Sequence, residues 1–314
     1  NLNQAKVYLI KAIEIDESNF QPNHPSLAIR YSNLALVEHA LGNLNQAKSY
    51  LIKAIKVGEL SYEPNHPQLA IYYSNLATVE QALGNLNQAK VYLIKAIEID
   101  ESKFEPNQPT LAIDYSNLAL VEKALGNLNQ AKVYLIKAIE IDELNFEPNH
   151  PTLATLYSNL AGVEKVLGNL NQAKVYLIKA IEIDELNFEP NHPTLATLYS
   201  NLATVEQDLG NLNQAKVYLI KAIEIDESNF EPNHPTLATL YSNLALVEKD
   251  LGNFIEAKNL FCKALEINEI ALPKGHLYIK YGYTFLINLL QQTGRVKEAD
   301  ELRLKAKEHG FDDI

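Results

Sequence analysis

The sequence has no methionine, no tryptophan and a single cysteine, Cys262, among its 314 residues. One thiol excludes an intrachain disulfide and a cysteine-rich metal site. No apolar run approaches the roughly 20 residues that a membrane helix needs. The basic-then-apolar pattern of a secretory signal does not follow Asn1. Positive charge is scarce, with 27 Lys+Arg against 39 Asp+Glu and a net charge of −12. That balance argues against a nucleic-acid or anionic-membrane surface, whose affinity rests on clustered cations. There is also no P-loop, glycine-rich phosphate cradle or nucleophile elbow. A chain without methionine even at its first position reads as a piece of a longer protein. With one cysteine and no signal or spanning segment, the expected location is cytoplasmic. The composition, 47% hydrophobic and 21% charged, is globular rather than disordered.

What is present is a repeat. The string Asn-Leu-Asn-Gln-Ala-Lys begins at Asn1, Asn43, Asn85, Asn127, Asn169 and Asn211, and returns altered at Asn253, so the period is 42 residues without insertion or deletion. Within a period, Leu128, Ala131, Tyr134, Leu135, Ala138, Ile139 and Ile141 have the spacing of a helix face. A Glu-Pro-Asn-His-Pro breaker follows, and its second proline suits the first turn of another helix. That helix carries Leu153, Tyr157, Leu160, Ala161 and Leu167 and ends at Gly168, in the place of a C-cap glycine. Such helices bury their apolar faces only by stacking. The fold class expected is all-α, an α-solenoid of antiparallel helix pairs.

Tyr241 to Ile267 resembles a tetratricopeptide repeat in its Leu244-Ala245 pair, inter-helix Gly252, small Ala257 and Ala264-Leu265 pair. The 42-residue period and the Asn-His-Pro corner resemble the kinesin-light-chain type of that repeat. The resemblance covers essentially all of 1–314 and implies one right-handed superhelix of about fifteen helices. It begins with an orphan second helix, 1–20. Helix pairs start near 25, 67, 109, 151, 193, 235 and 277, and a capping helix spans 295–309. Two departures stand out. Glu38, Glu80, Glu122, Glu164, Glu206 and Glu248 occupy a place where the family usually has an aromatic residue. The last pair has Leu277 for the corner proline and Phe285 for a recurrent asparagine.

In resembling peptide-binding repeats, an asparagine of the first helix points into the concave groove and bonds a ligand's main chain. Asn33, Asn75, Asn117, Asn159, Asn201 and Asn243 hold that place here, and an amide that both donates and accepts suits the task. Positions that vary between near-identical periods add candidates for specificity: Leu36, Thr78 and Leu120, then Lys123, Lys165, Gln207 and Lys249. Arg30, Tyr72, Asp114 and Leu156 vary similarly and are expected on the same groove. Against this stands neutral drift at exposed sites, and for the asparagines a bond to a neighbouring helix. The glutamates have a lysine ten residues on, as in Glu38 and Lys48, Glu206 and Lys216, or Glu248 and Lys258. These are expected to form a bridge within each helix pair.

Other constellations read as scaffold. His24, His66, His150, His192, His234 and His276 recur at one place of the period, which Gln108 takes in the third corner, so they sit in layers at least about 8–10 Å apart, too far for one metal. The run Glu182 to Glu185 reads as a solvated face, and Cys262 as buried core. No metal and no cofactor are expected, and six copies of one arrangement argue against an asymmetric catalytic site. The leading reading is a non-enzymatic scaffold binding a peptide or partner protein, with near-identical periods also permitting self-association. Lys123, Lys165 and Lys249 favour an acidic ligand, and Asp208 and Asp250 oppose a uniformly acidic one. The alternatives are the sensor region of a larger nucleotide-dependent signalling protein, and a spacer without a partner.

Overall fold

The computed structural model describes residues 1–103 and 108–314, so the corner Glu105–Asn107 lies outside the described residues. These residues form fifteen helices and no strand. They divide into two compact units, Asn1–Pro148 and Asn149–Ile314. The N-terminal unit holds α1 (Leu2–Asn19), α2 (Pro25–Ala40), α3 (Leu44–Ser61), α4 (Pro67–Ala82), α5 (Leu86–Lys103), α6 (Pro109–Ala124) and α7 (Leu128–Asn145). The C-terminal unit holds α8 (Pro151–Val166), α9 (Leu170–Asn187), α10 (Pro193–Asp208), α11 (Leu212–Asn229) and α12 (Pro235–Asp250). It ends with α13 (Phe254–Ala271), α14 (Leu277–Gln292) and α15 (Val296–Glu308). Within each unit every helix packs on the next, as the expected α-solenoid requires. Even-numbered helices also touch across a period, α2 on α4, α4 on α6 and α10 on α12.

The corners explain the recurrent histidine. His66 is the N-cap of α4: its Nδ1 accepts the Gln68 backbone N–H at 3.2 Å, and its ring stacks on Tyr62 at 4.1 Å. His192 and His234 cap α10 and α12 in the same way, stacked on Phe188 and Phe230. Proline at N1 removes a backbone donor that has no partner there anyway. Even without that proline, His276 still caps α14, ahead of Leu277.

The other ends close through the glutamate. After α8, Gly168 adopts φ +81°, which only glycine takes freely. The Asn169 N–H bonds the Glu164 carbonyl at 2.9 Å and the Gly168 N–H bonds that of Lys165 at 3.0 Å, a Schellman turn. The Glu164 carboxylate then accepts from Asn169 Nδ2 at 2.7 Å, tying cap to turn. Glu38–Asn43, Glu80–Asn85, Glu122–Asn127, Glu206–Asn211 and Glu248–Asn253 repeat this link. It accounts for a glutamate on an otherwise apolar face.

The lysine partner differs from the expected one. Glu38, Glu80 and Glu122 pair with Lys6, Lys48 and Lys90 at 2.8–2.9 Å, and Glu206 and Glu248 with Lys174 and Lys216 at 2.8 and 2.6 Å. The cation therefore comes from the second helix of the preceding pair, 32 residues upstream, rather than ten residues downstream. Glutamate on a first helix faces both neighbouring second helices, and the turn places its own pair's asparagine, not lysine, beside it. Lys258 shows the same rule: Leu290 stands where its glutamate would be, and it turns to Glu298 at 2.8 Å. Burial alone would raise the Glu38 carboxyl. The hydrogen bonds from Lys6 and Asn43 outweigh it, leaving the group below the usual carboxylate range.

Candidate functional site

Each first helix buries one face and leaves a stripe outside it. In α2 the buried set is Leu27, Ala28, Tyr31, Ser32, Leu34, Ala35 and Glu38. The opposite stripe, at intervals of three and four, is Ile29, Asn33, Leu36 and Ala40, all exposed. The corresponding stripes are Ile71, Asn75, Thr78 and Ala82 in α4, and Ile113, Asn117, Leu120 and Ala124 in α6. In the C-terminal unit they become Thr155, Asn159, Gly162 and Val166 in α8, then Thr197, Asn201, Thr204 and Asp208 in α10. The same stripe of α12 is Thr239, Asn243, Leu246 and Asp250. Apolar chemistry in the first unit thus gives way to hydroxyl and acidic chemistry in the second.

The recurrent asparagines lie on these stripes. Asn33 and Asn201 are exposed, and Asn75, Asn117, Asn159 and Asn243 are half-buried. Asn75 reaches Ser32 Oγ at 3.4 Å. No side-chain hydrogen bond holds the other five among the described residues. Leu36 is exposed and Leu120 half-buried, while exposed Thr78 returns its hydroxyl to the Ser74 carbonyl. Half-buried Lys123 lies at the end of α6. At the ends of α8, α10 and α12 the variable positions meet one another. Lys165 lies 3.3 Å from Asp208, Gln207 donates to Asp250 at 2.9 Å, and Lys249 lies 3.9 Å from Asp250. The acidic residues thus answer the neighbouring cation or amide as well as facing solvent.

Arg30, Tyr72, Asp114 and Leu156 do not line the stripe. Tyr72, Asp114 and Leu156 are buried, and half-buried Arg30 pairs with Asp16 at 3.3 Å. Within the units this position packs against the residue fourteen places earlier, near the end of the preceding helix. Tyr72 fills the space above Gly58, where an added Cβ would lie 3.3 Å from its ring. Asp114 accepts from Ser74 Oγ at 2.6 Å. Burial pushes its carboxyl up to about 7, with the Asp100 charge adding to the rise and the Ser74 bond opposing it. The variation is therefore packing across a helix interface, which one residue's spacing in a sequence does not reveal.

Two further expectations are corrected. Cys262 is exposed, because Leu260, Phe261, Ala264 and Leu265 take the buried face of α13. In the run Glu182 to Glu185, only Glu182 is a plain solvated carboxylate. Asp184 is buried, and Glu185 accepts from Tyr199 at 2.5 Å. That second bond belongs to a cluster that the sequence reading missed. Tyr199 stacks on Tyr218 with centroids 6.0 Å apart, and Lys221 sits over its ring at 5.0 Å. Tyr31, Glu17, Tyr50 and Lys53 repeat it in the first unit, where burial and then Glu17 raise the Tyr31 hydroxyl to about 12. A tyrosine, a glutamate fourteen residues earlier and a lysine 22 later were the available signal.

Among the described residues, no three His, Cys, Asp or Glu side chains converge as metal ligands, and no helix is long and apolar enough to cross a membrane. The family profile described as Tetratricopeptide repeat matches residues 28–102, 109–185, 152–216 and 194–270. No curated protein matches the sequence. Among solved structures, the chain is similar to BtubC (BKLC) from P. vanneervenii at 20% identity and a TM-score of 0.59, covering 79% of this chain and 95% of that one. A putative kinesin light chain with nearly identical TPR-like repeats from Podosopora anserina matches at 20% identity and 0.59, over 66% and 99%. The Signal Transduction ATPase with Numerous Domains (STAND) protein with a tetratricopeptide repeat sensor from Pyrococcus horikoshii matches at 19% and 0.71. That likeness covers 90% of this chain and 42% of that one.

Proposed function

Because the chain belongs to the tetratricopeptide repeat family, we propose that it is a non-enzymatic scaffold whose first-helix stripes bind a peptide segment or a partner protein. Such repeats typically serve protein interaction. The observation that carries the reading is that each of these stripes presents an asparagine whose amide is solvent-accessible and, Asn75 apart, holds no hydrogen bond among the described residues. An amide presents a donor and an acceptor to a ligand main chain, and the variable neighbours supply specificity. A location in the cytoplasm suits an exposed free thiol.

The test begins with a peptide selected from a random library on the whole chain and measures its affinity by calorimetry. Replacing Asn159, Asn201 and Asn243 with alanine removes three bonds of about 0.5–1.5 kcal/mol each. Binding should weaken by about 1.5–4.5 kcal/mol, if the terms add, with thermal stability nearly unchanged. The control variant replaces Asn87, Asn129 and Asn171, which are exposed on the second helices, and it should bind normally. Unchanged affinity in the first variant, or a lost fold, refutes the reading.

A second reading makes the chain the ligand-sensing part of a larger nucleotide-dependent signalling protein, and the fold likeness to the STAND sensor favours it. Sequence upstream of Asn1 separates the two: a P-loop supports the sensor, and a coiled coil supports an adaptor.

A further inference from the structure

A cleft of about 190 Å3 lies between α8 and α10, over the end of α9. Thr155, Ser158 and Asn159 line it from α8, and Thr194 and Thr197 from α10, with Asp184 of α9 among them. Small-molecule sites enclose roughly 300–1,000 Å3, so this space suits one long side chain. Asp184 is 5% exposed and is the one ionisable group of the lining. Burial holds its carboxyl above the usual range, against the opposing influence of Thr194 and of His192 at the corner. Among the described residues, the cleft therefore holds a desolvated acid with no lysine or arginine paired to it, His192 at the corner being the nearby basic group.

The chain itself shows what that position binds. Four periods earlier the equivalent acid is Asp16, and its partner is the Arg30 guanidinium, Nε to Oδ2 3.3 Å. The equivalent of Arg30 is Leu198, which lines the cleft with an aliphatic wall and brings no charge. In the N-terminal unit the corresponding space is filled from within, by Tyr72 above Gly58 and by Asp114 on Ser74. Between α8 and α10 it is open.

We propose that this cleft is a subsite for an arginine side chain of the bound partner. This rests on the groove-binding reading above and names the chemistry it selects. The guanidinium meets the Asp184 carboxylate, its stem runs along Leu198 and Ala154, and hydroxyl and amide oxygens of Thr155, Ser158, Thr197 and Asn159 accept its remaining N–H groups. A planar group with five donors and no acceptor matches a lining of one carboxylate and several oxygens. The same residue types recur one period on, as Thr197, Ser200, Asn201, Asp226, Thr236 and Thr239.

The experiment is equilibrium dialysis of the whole chain against isotopically labelled N-acetyl-arginine N-methylamide. The neutral citrulline analogue, which carries the same main chain, runs in parallel. The wild type should bind the arginine probe at least tenfold more tightly than the citrulline one, as a charge-assisted bond worth about 1.5–3 kcal/mol requires. Asp184→Asn should lose one site per chain. Leu198→Arg should also lose one, by supplying the guanidinium internally as Arg30 does. It keeps the test decisive if Asp184→Asn fails to fold by circular dichroism. Stoichiometry unchanged in the folded variants, or equal binding of citrulline, overturns the subsite. Equal citrulline binding would leave the stripe asparagines standing as readers of main chain. Conversely, failure of those asparagines leaves the dialysis result intact, because the probe is held by its side chain.

Discussion

The inter-pair ion bridge gives a prediction with a sharp alternative. The Glu206 side chain is 1% exposed; its Oε1 lies 2.8 Å from the Lys174 ammonium, and its Oε2 accepts from Asn211 Nδ2 at 2.8 Å. Removing one partner of a fully buried pair costs about 3–5 kcal/mol. Here the Lys174 side chain is 35% exposed, so water screens part of the interaction. The asparagine bond also survives. Lys174→Met should therefore destabilise the chain by about 1–3 kcal/mol. With Glu206→Gln the two should couple by about 1–2 kcal/mol in a double-mutant cycle. Lys216 lies in the helix paired with Glu206, yet its ammonium is 2.6 Å from Glu248. Lys216→Met should couple to Glu206→Gln by less than about 0.5 kcal/mol. The assay is urea unfolding followed by circular dichroism, with amide exchange in α9 and α10 as the local readout, since repeat arrays can unfold in parts. A Glu206 coupling to Lys216 equal to or larger than that to Lys174 would refute the register of the bridge.

Four further outcomes follow from the packing. Asp114 has a folded value of about 7 against an ordinary aspartate value near 3.9 in the unfolded chain, so its contribution is fully present below about pH 4 and is lost as pH rises through about 7. Asp114→Asn should flatten that fall in unfolding experiments between pH 4 and 8; an unchanged slope contradicts the buried carboxyl. His66→Ala removes the Gln68 N–H acceptor and the Tyr62 stack, and thermal melts should show a loss of about 0.5–2 kcal/mol. Gly168→Ala meets no atom within 4 Å but forces a left-handed φ on alanine, at about 1–2 kcal/mol. Gly58→Ala should fail for another reason, a Cβ 2.9 Å from Leu69 Cδ2. Crystal structures of the two variants would separate backbone strain from a displaced side chain.

What the sequence determined by itself was the local structure. Apolar spacing, the proline after each histidine and the glycine after each first helix specify helix limits through short-range sterics and capping, which act within a few residues. Repetition without insertion then leaves few ways to bury the exposed faces, so the stacked helix pairs were legible as well. The asparagines' place on the first-helix stripe was implied by the resemblance to peptide-binding repeats, and not by the periodicity. Tertiary structure decided every partner choice. Glu206 could face a lysine on either neighbouring helix, and only the stacking offset, with Asn211 held beside the carboxylate by the turn, selects Lys174. Arg30, Tyr72 and Asp114 vary as freely as surface residues do. They lie inside an interface because each is matched to Asp16, Gly58 or Ser74 across it. Asp184 sits in a run of acids that reads as a wet face, and it is buried at the floor of the cleft whose walls are α8 and α10. Such pairings depend on three-dimensional offsets between helices, which a one-dimensional period of 42 residues repeats faithfully but does not contain.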